Sequence, residues 1–185
     1  MLEYIILGIL YSNDLTGYDI RKCIEGGIGM FYRASYGSIY PILSKLSEKA
    51  YVICVEEVQG KRVKTKYSIT EVGKDAFLTW LKEDEDNNSS MESFMARVYF
   101  FDLLPSDLTS IKIKEYQMKL LAYQRDLLKK KEKYDAMENK EAFYFKLSTL
   151  YFGICKLQSI ITWCDTVKQG LDLETLIPMK ASCIL

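Results

Sequence analysis

The sequence predicts a mainly α-helical chain with one small β-hairpin, in two domains over residues 1–85 and 86–185. Three observations carry this reading. Short helical periods in the first part close on a helix, residues 35–49, with a small and hydroxyl-rich outer face. The period then switches to two over residues 52–69. The second half carries two long apolar runs at heptad spacing.

Taken in order, Leu2, Ile5, Ile6, Ile9 and Leu10 give a wide apolar face to a largely buried helix over residues 2–12. This apolar start lacks a basic flank and carries Glu3, so it reads as core and not as a signal sequence. Ser12, Asn13 and Asp14 break it. Thr16 caps a second helix, with Asp19 three residues on in a shortened capping box. That helix runs through Ile20 and Ile24 and ends at Gly26, Gly27 and Gly29. A basic-aromatic turn, Met30 to Arg33, leads to the third helix.

In residues 35–49 the stripe Ile39, Ile42, Leu43 and Leu46 follows i, i+3, i+4, i+7 spacing and faces inward. Gly37, Pro41 and Ser44, flanked by Ser38, Tyr40 and Lys45, form the opposite face. Ser35 suits the N-cap, which leaves first-turn amides pointing outward where a phosphate can sit. Pro41 inside such a helix loses a hydrogen bond and presses on the carbonyl of Gly37, so a kink is expected. Three short helices with tight turns, the third presenting a polar face, form a helix-turn-helix.

Val52 to Glu57 and Val63 to Ile69 alternate as two strands around the turn at Gln59, Gly60 and Lys61. Lys61, Arg62, Lys64 and Lys66 place four positive charges on the hairpin tip and outer edge with no acid beside them. A lysine-guarded edge strand is the plain alternative. Following directly on a helix-turn-helix, a basic hairpin reads as a wing resting on DNA backbone. Thr70 then caps a fourth helix through Val72, Ala76, Phe77, Trp80 and Leu81, and the polar run Asp84 to Ser90 marks the domain boundary.

These residues resemble the PadR family of transcriptional regulators over Leu2 to Leu81. The motifs are Gly17-Tyr18-Asp19, then Gly37-Ser38-Ile39-Tyr40-Pro41-Ile42-Leu43 with Leu46, then Tyr67-Ser68-Ile69-Thr70-Glu71 with Gly73 and Trp80-Leu81. The resemblance implies a winged helix-turn-helix domain followed by a C-terminal helical dimerisation domain. Two departures stand out. Ala50 replaces the family's usual glycine after the recognition helix, which costs roughly 1–2 kcal/mol if the position is left-handed. Arg62-Val63 replaces a proline-containing turn in the wing.

The second half opens with a short aromatic-rich helix from Met91 to Leu104, stopped by Pro105. Ser106 and Asp107 start a long helix to about Glu138, in which Ile113, Tyr116, Leu120, Tyr123 and Leu127 keep heptad spacing. After Asn139 a last helix repeats the pattern with Leu147, Leu150, Ile154, Leu157 and Ile161, and Gly170 fits its C-cap. Two such helices form an antiparallel pair. Their spare apolar flanks, with Leu121, Leu128, Tyr151, Phe152 and Trp163, call for a second copy, so these helices are assigned to dimerisation. Residues 171–185 read as a short helix and a tail.

Composition narrows the function classes. Twenty-five basic and 25 acidic residues balance to a net charge of +0, so any nucleic-acid contact must come from a local patch. The absence of histidine removes the commonest general base and metal ligand, and no glycine-rich phosphate loop is present, so no enzyme, cofactor or metal site is expected. The five scattered cysteines read as reduced, mostly buried thiols of a cytoplasmic protein. No apolar run approaches the ~18 residues needed to span a bilayer.

The reading is a sequence-specific DNA-binding transcriptional regulator, a repressor, acting as a homodimer on a double-stranded operator. Ser38, Tyr40, Ser44 and Lys45 would read bases, Arg33 and Tyr36 flanking backbone, and Lys61, Arg62, Lys64 and Lys66 phosphates. The alternative is a sensor of phenolic or drug-like molecules. Its aromatic pocket would draw on Tyr99, Phe100, Phe101, Phe143, Tyr144, Phe145, Tyr151, Phe152 and Trp163.

Overall fold

The computed structural model describes residues 1–32, 36–59, 62–83 and 90–177, and of Tyr36, Val58, Gln59, Arg62 and Val63 the backbone alone. The chain falls into two compact units, Met1–Leu104 and Pro105–Leu185.

Helix α1 (Leu2–Ile9) is the centre of the first unit and packs on the second, third and fourth helices. Ile5, Ile6 and Leu7 are fully enclosed, each contributing about 1.5–3 kcal/mol by burial. A two-residue strand, β1 (Leu15–Thr16), leads into α2 (Gly17–Gly26). The Thr16 hydroxyl accepts from the Asp19 amide at 3.2 Å and donates to its carboxylate at 2.6 Å, which closes the expected cap. That hydroxyl, first among several causes, holds the Asp19 carboxyl below its ordinary value of 3.8.

The third helix begins later than its sequence suggests. A 3-10 turn at Tyr36–Ser38 precedes α3 (Ile39–Glu48), with Ser38 at the N-cap making no side-chain cap bond. Ser35, the expected cap, lies outside the described residues. Pro41 therefore sits in the first turn, where backbone amides have no intrahelical acceptor in any helix, and its missing amide costs little. The anticipated mid-helix strain does not arise.

At the other end, Tyr51 N–H donates to the Leu46 carbonyl and Ala50 N–H to that of Ser47, both at 2.9 Å, a Schellman closure. Ala50 takes a φ of 55°, so the residue after the recognition helix is left-handed here without a glycine. By that geometry alanine costs roughly 1–2 kcal/mol.

Strands β2 (Val52–Gln59) and β3 (Arg62–Ile69) pair antiparallel from Val52↔Ile69 to Gln59↔Arg62. β1 joins through Leu15↔Tyr67 and Thr16↔Lys66, giving the order β1-β3-β2. Sequence periodicity missed this third strand, because two residues are too few to show alternation. Helix α4 (Glu71–Lys82) follows, its Gly73 amide capped by Thr70 Oγ1 at 3.0 Å. The same hydroxyl donates to the Ala50 carbonyl at 2.7 Å, which ties the start of α4 to the end of α3.

Helix α5 (Met91–Val98) belongs by its packing to this first unit, so the core boundary lies at Leu104 and not at residue 85. Phe100, just after it, meets Phe77 edge-on with centroids 5.3 Å apart. The Arg97 guanidinium lies 4.5 Å over the Trp80 ring. It donates to the Trp80 carbonyl and, at 3.2 Å, to that of Glu83. The polar run after Glu83 separates two helices of one core, not two cores.

The second unit is a pair of long helices, α6 (Ser106–Asp135) and α7 (Tyr144–Lys168). They run antiparallel, with contacts passing from Gln117 and Lys168 (3.0 Å), through Gln124 and Gln158 (2.9 Å), to the rings of Tyr134 and Phe143. Ile113, Leu127, Leu157 and Ile161 are buried, and Tyr116, Leu120, Leu147, Leu150 and Ile154 are half-buried. Within the single chain these heptad positions, expected in dimerisation, are already partly or fully covered, with Tyr123 the exposed exception at 56%. What stays outside is a stripe of Ile111, Met118, Leu121 and Leu128 on α6, and Tyr144, Phe145, Tyr151 and Phe152 on α7. Gly170, at φ 62°, receives the end of α7 in the same closure seen at Ala50, with Leu171 N–H on the Thr166 carbonyl at 3.0 Å.

Candidate nucleic-acid interface

Three elements meet on one side of the first unit: the start of α2, the outer flank of α3 and the outer part of β3. The inward stripe of α3, Ile39, Leu43 and Leu46, is buried. This fixes the rotation of the helix and turns Tyr40 and Ser44 outward, Tyr40 being 62% exposed. The Tyr40 ring lies against Gly17, where a Cβ would stand 2.8 Å from it. A cleft of about 600 Å³ opens here, lined by Thr16, Gly17, Tyr18, Asp19, Tyr40, Lys64, Thr65 and Tyr67. It brings together a cation, the Asp19 carboxylate, hydroxyls and aromatic faces, of which Lys64, the threonines and the tyrosines are side chains that contact phosphate-sugar backbones.

The other expected residues divide. Ser38 is half-buried at the start of α3, and Ser44 is exposed on the flank shared with Tyr40. Lys45 lies on the opposite flank, where its ammonium meets Glu3 of α1 at 2.6 Å. Lys49 reaches the other Glu3 oxygen at 2.8 Å. The hydrogen bond from Lys45, then that from Lys49, holds the Glu3 carboxyl below its ordinary value of 4.5.

In the wing, Lys64 is exposed beside the cleft, whereas Lys66 pairs with Glu57 across the hairpin at 2.6 Å. That bond raises the Lys66 ammonium above its ordinary value. This corrects the expectation of a wing without acid: the register sets Glu57 opposite Lys64, on the same face as Lys66. Arg33 and Lys61 lie outside the described residues, as do the side chains of Tyr36 and Arg62.

The sequence reading missed one candidate. Tyr18 lines the cleft and is 57% exposed, with the Lys22 ammonium 4.7 Å over its ring. Its place in the Gly17-Tyr18-Asp19 motif was visible, but its outward orientation needs the fold. The cysteines also depart from expectation. Cys23, Cys54 and Cys155 are exposed, and Cys164 is buried with its thiol pushed up to about 11, chiefly by that burial. Among the described residues no group of three His, Cys, Asp or Glu is placed to hold a metal ion. No helix there is long and apolar enough to cross a membrane.

Helix α1 behind, α2 and α3 in succession, and a β-hairpin alongside make the first unit a winged helix-turn-helix. The class is borne out by a closer relationship. Residues 6–78 match the model of the transcriptional regulator PadR-like family. It is 26% identical over 180 residues to the negative transcriptional regulator PadR of Bacillus subtilis, covering 94% of this chain and 99% of that protein. Among solved structures it resembles Bacillus subtilis PadR in complex with operator DNA, at 26% identity and a TM-score of 0.46, over 92% of this chain and 99% of that one. It also resembles the same protein in complex with p-coumaric acid, at 26% identity and a TM-score of 0.43, over 91% of this chain and 97% of that one.

Proposed function

We infer that this chain is a sequence-specific DNA-binding transcriptional regulator, a repressor that works as a homodimer in the cytoplasm. The observation that carries the reading is the shared surface of α3 and the wing. Tyr40 and Ser44 project from a helix whose apolar side is buried, and Lys64 lines the same cleft as Tyr40. In this reading α3 enters the major groove, where Ser38, Tyr40 and Ser44 meet base edges. Lys64, with Lys61 and Arg62, neutralises phosphates and supplies salt-dependent affinity. Lys45 and Lys66 contribute less, because each already holds an acid. The exposed apolar surfaces of α6 and α7 are the proposed dimer contact, and two copies then present two recognition helices to one duplex. The lack of histidine, the commonest general acid and base, favours binding as the activity.

Selection of bound fragments from random duplex DNA by the purified chain tests this. The expected product is a two-fold symmetric site with half-sites about 34 Å apart, or a multiple of that. Recovery of unenriched DNA would sink the reading.

A second reading adds a small aromatic effector. It is supported by the aromatic side chains of α7 and by the p-coumaric acid complex of Bacillus subtilis PadR. Fluorescence of Trp163, half-buried on α7, should shift on titration with phenolic acids, measured in a Trp80→Phe background. No shift, together with unchanged DNA affinity in their presence, removes the effector.

A further inference from the structure

We propose that Tyr99 is a positioning residue for operator recognition, acting from the end of α5 on the exit of α2 and the 3-10 turn that follows it. The proposal rests on the DNA-binding reading above. The phenol of Tyr99 sits directly on Gly27, the residue that ends α2: a Cβ there would lie 2.5 Å from the Tyr99 oxygen and 2.9 Å from Cζ. Gly27 has a φ of −118°, so no left-handed backbone calls for glycine. The missing side chain answers the phenol.

From Gly27 the chain passes straight into the 3-10 turn Ile28–Met30, anchored by the buried Ile28. Whatever fixes Gly27 therefore fixes the exit of α2 on the way to α3. Tyr99 is itself held. Its ring meets Phe100 edge-on at 5.1 Å. Phe100 is locked between Gly8 and Phe77. Arg97, two residues earlier, is fastened to the carbonyls that end α4. The α5 segment thus grips three parts of the winged unit at once: α1, the end of α4 and the exit of α2. Yet Tyr99 is 49% exposed, so its removal takes little from the core. A half-exposed tyrosine set against a backbone it could easily avoid is better explained by positioning than by packing.

A size-swap cycle on the full-length chain tests this, with affinity measured on the DNA selected by wild type. Tyr99→Ala and Gly27→Ala should each weaken specific binding by roughly two- to thirty-fold, the range of indirect couplings. Neither should change the slope of log affinity against log salt, because no phosphate contact is lost. Tyr99→Phe, which keeps the ring and loses the oxygen nearest Gly27, should lose less. In the double variant the alanine at position 27 has room, so the two losses should fall short of additive. Thermal unfolding of each variant separates loosened folding from misplaced recognition: a loss of affinity that follows the loss of stability across all variants overturns the proposal. So does wild-type affinity in both single variants, additive losses in the double variant, or a flattened salt slope, which marks Tyr99 as a direct contact. Failure of wild type to select DNA removes the underlying reading instead, an outcome distinct from the others.

Discussion

In the winged unit Ile5, Phe77 and Leu81 are fully enclosed, whereas on α7 Phe145 and Phe152 stand 80% and 71% exposed. The two units draw on the same kinds of side chain at the same helical spacings. The difference lies in how many elements surround each helix. α1 is flanked by α2, α3 and α4, so every side of it meets protein. In the α6–α7 pair each helix covers one strip of the other. Burying a large apolar side chain is worth about 1.5–3 kcal/mol, so the second unit leaves several such contributions for a partner copy to supply. An amphipathic pattern says that a face wants cover. It does not say who provides it.

The contrast can be broken at its strongest point first. Phe77→Ala should cost about 3–5 kcal/mol in urea-induced unfolding of the first unit, the cost of a cavity in a closed core. Phe145→Asp combined with Phe152→Asp should instead convert dimer to monomer in analytical ultracentrifugation, with each position worth about 2 kcal/mol of association. If the double variant stays dimeric, the contact lies on another face, such as the Ile111–Leu128 stripe.

Within the winged unit, Lys64→Ala should weaken binding to all DNA sequences and lower the salt slope by about 1 while leaving the dimer intact. Lys66→Ala should move the slope less, because Glu57 already holds that ammonium.

The two Schellman closures allow a finer comparison, one in each unit. Ala50→Gly should raise the stability of the first unit by roughly 1 kcal/mol, and Gly170→Ala should lower that of the second by a similar amount, both read from thermal midpoints.

The smallest effect is that of pH. The Glu3 carboxyl is depressed in the folded chain, so the unfolded state takes up the proton first as pH falls. Its contribution is therefore complete above the ordinary value of 4.5 and is lost as pH drops through the lower folded value. Acid titration of the thermal midpoint should show this component in wild type and not in Glu3→Gln.

Much of this architecture is legible in the residues. The caps at Thr16 and Thr70, the glycine stop at Gly170, the period-two hairpin and the inward stripe of α3 are local signals, each set by a few neighbouring positions. What escaped is non-local. Glu3 and Lys49 are 46 residues apart, and nothing in either segment announces their pairing. Strand β1 exists only because β3 is there to receive it. The allegiance of α5 depended on Arg97 finding the carbonyls of Trp80 and Glu83, an arrangement that aromatic spacing does not encode. The heptad spacing shows that α6 and α7 pair, and leaves open which of their remaining apolar positions a second copy would cover. At the interface, sequence alone leaves Lys45 unpaired, because the acid that meets it comes from another helix.

Pro41 carries a consequence for information content. By fixing where the third helix can begin, it leaves, together with the closure at Ala50, a helix of ten residues, or about 15 Å. One such rod spans roughly four base pairs, a word that recurs by chance about once in a few hundred positions, far too often to mark a single gene. Two rods bound to one another square those odds to about one in tens of thousands. On the proposed function, then, the half-uncovered helices of the second unit are what allow so short a reader to find an address.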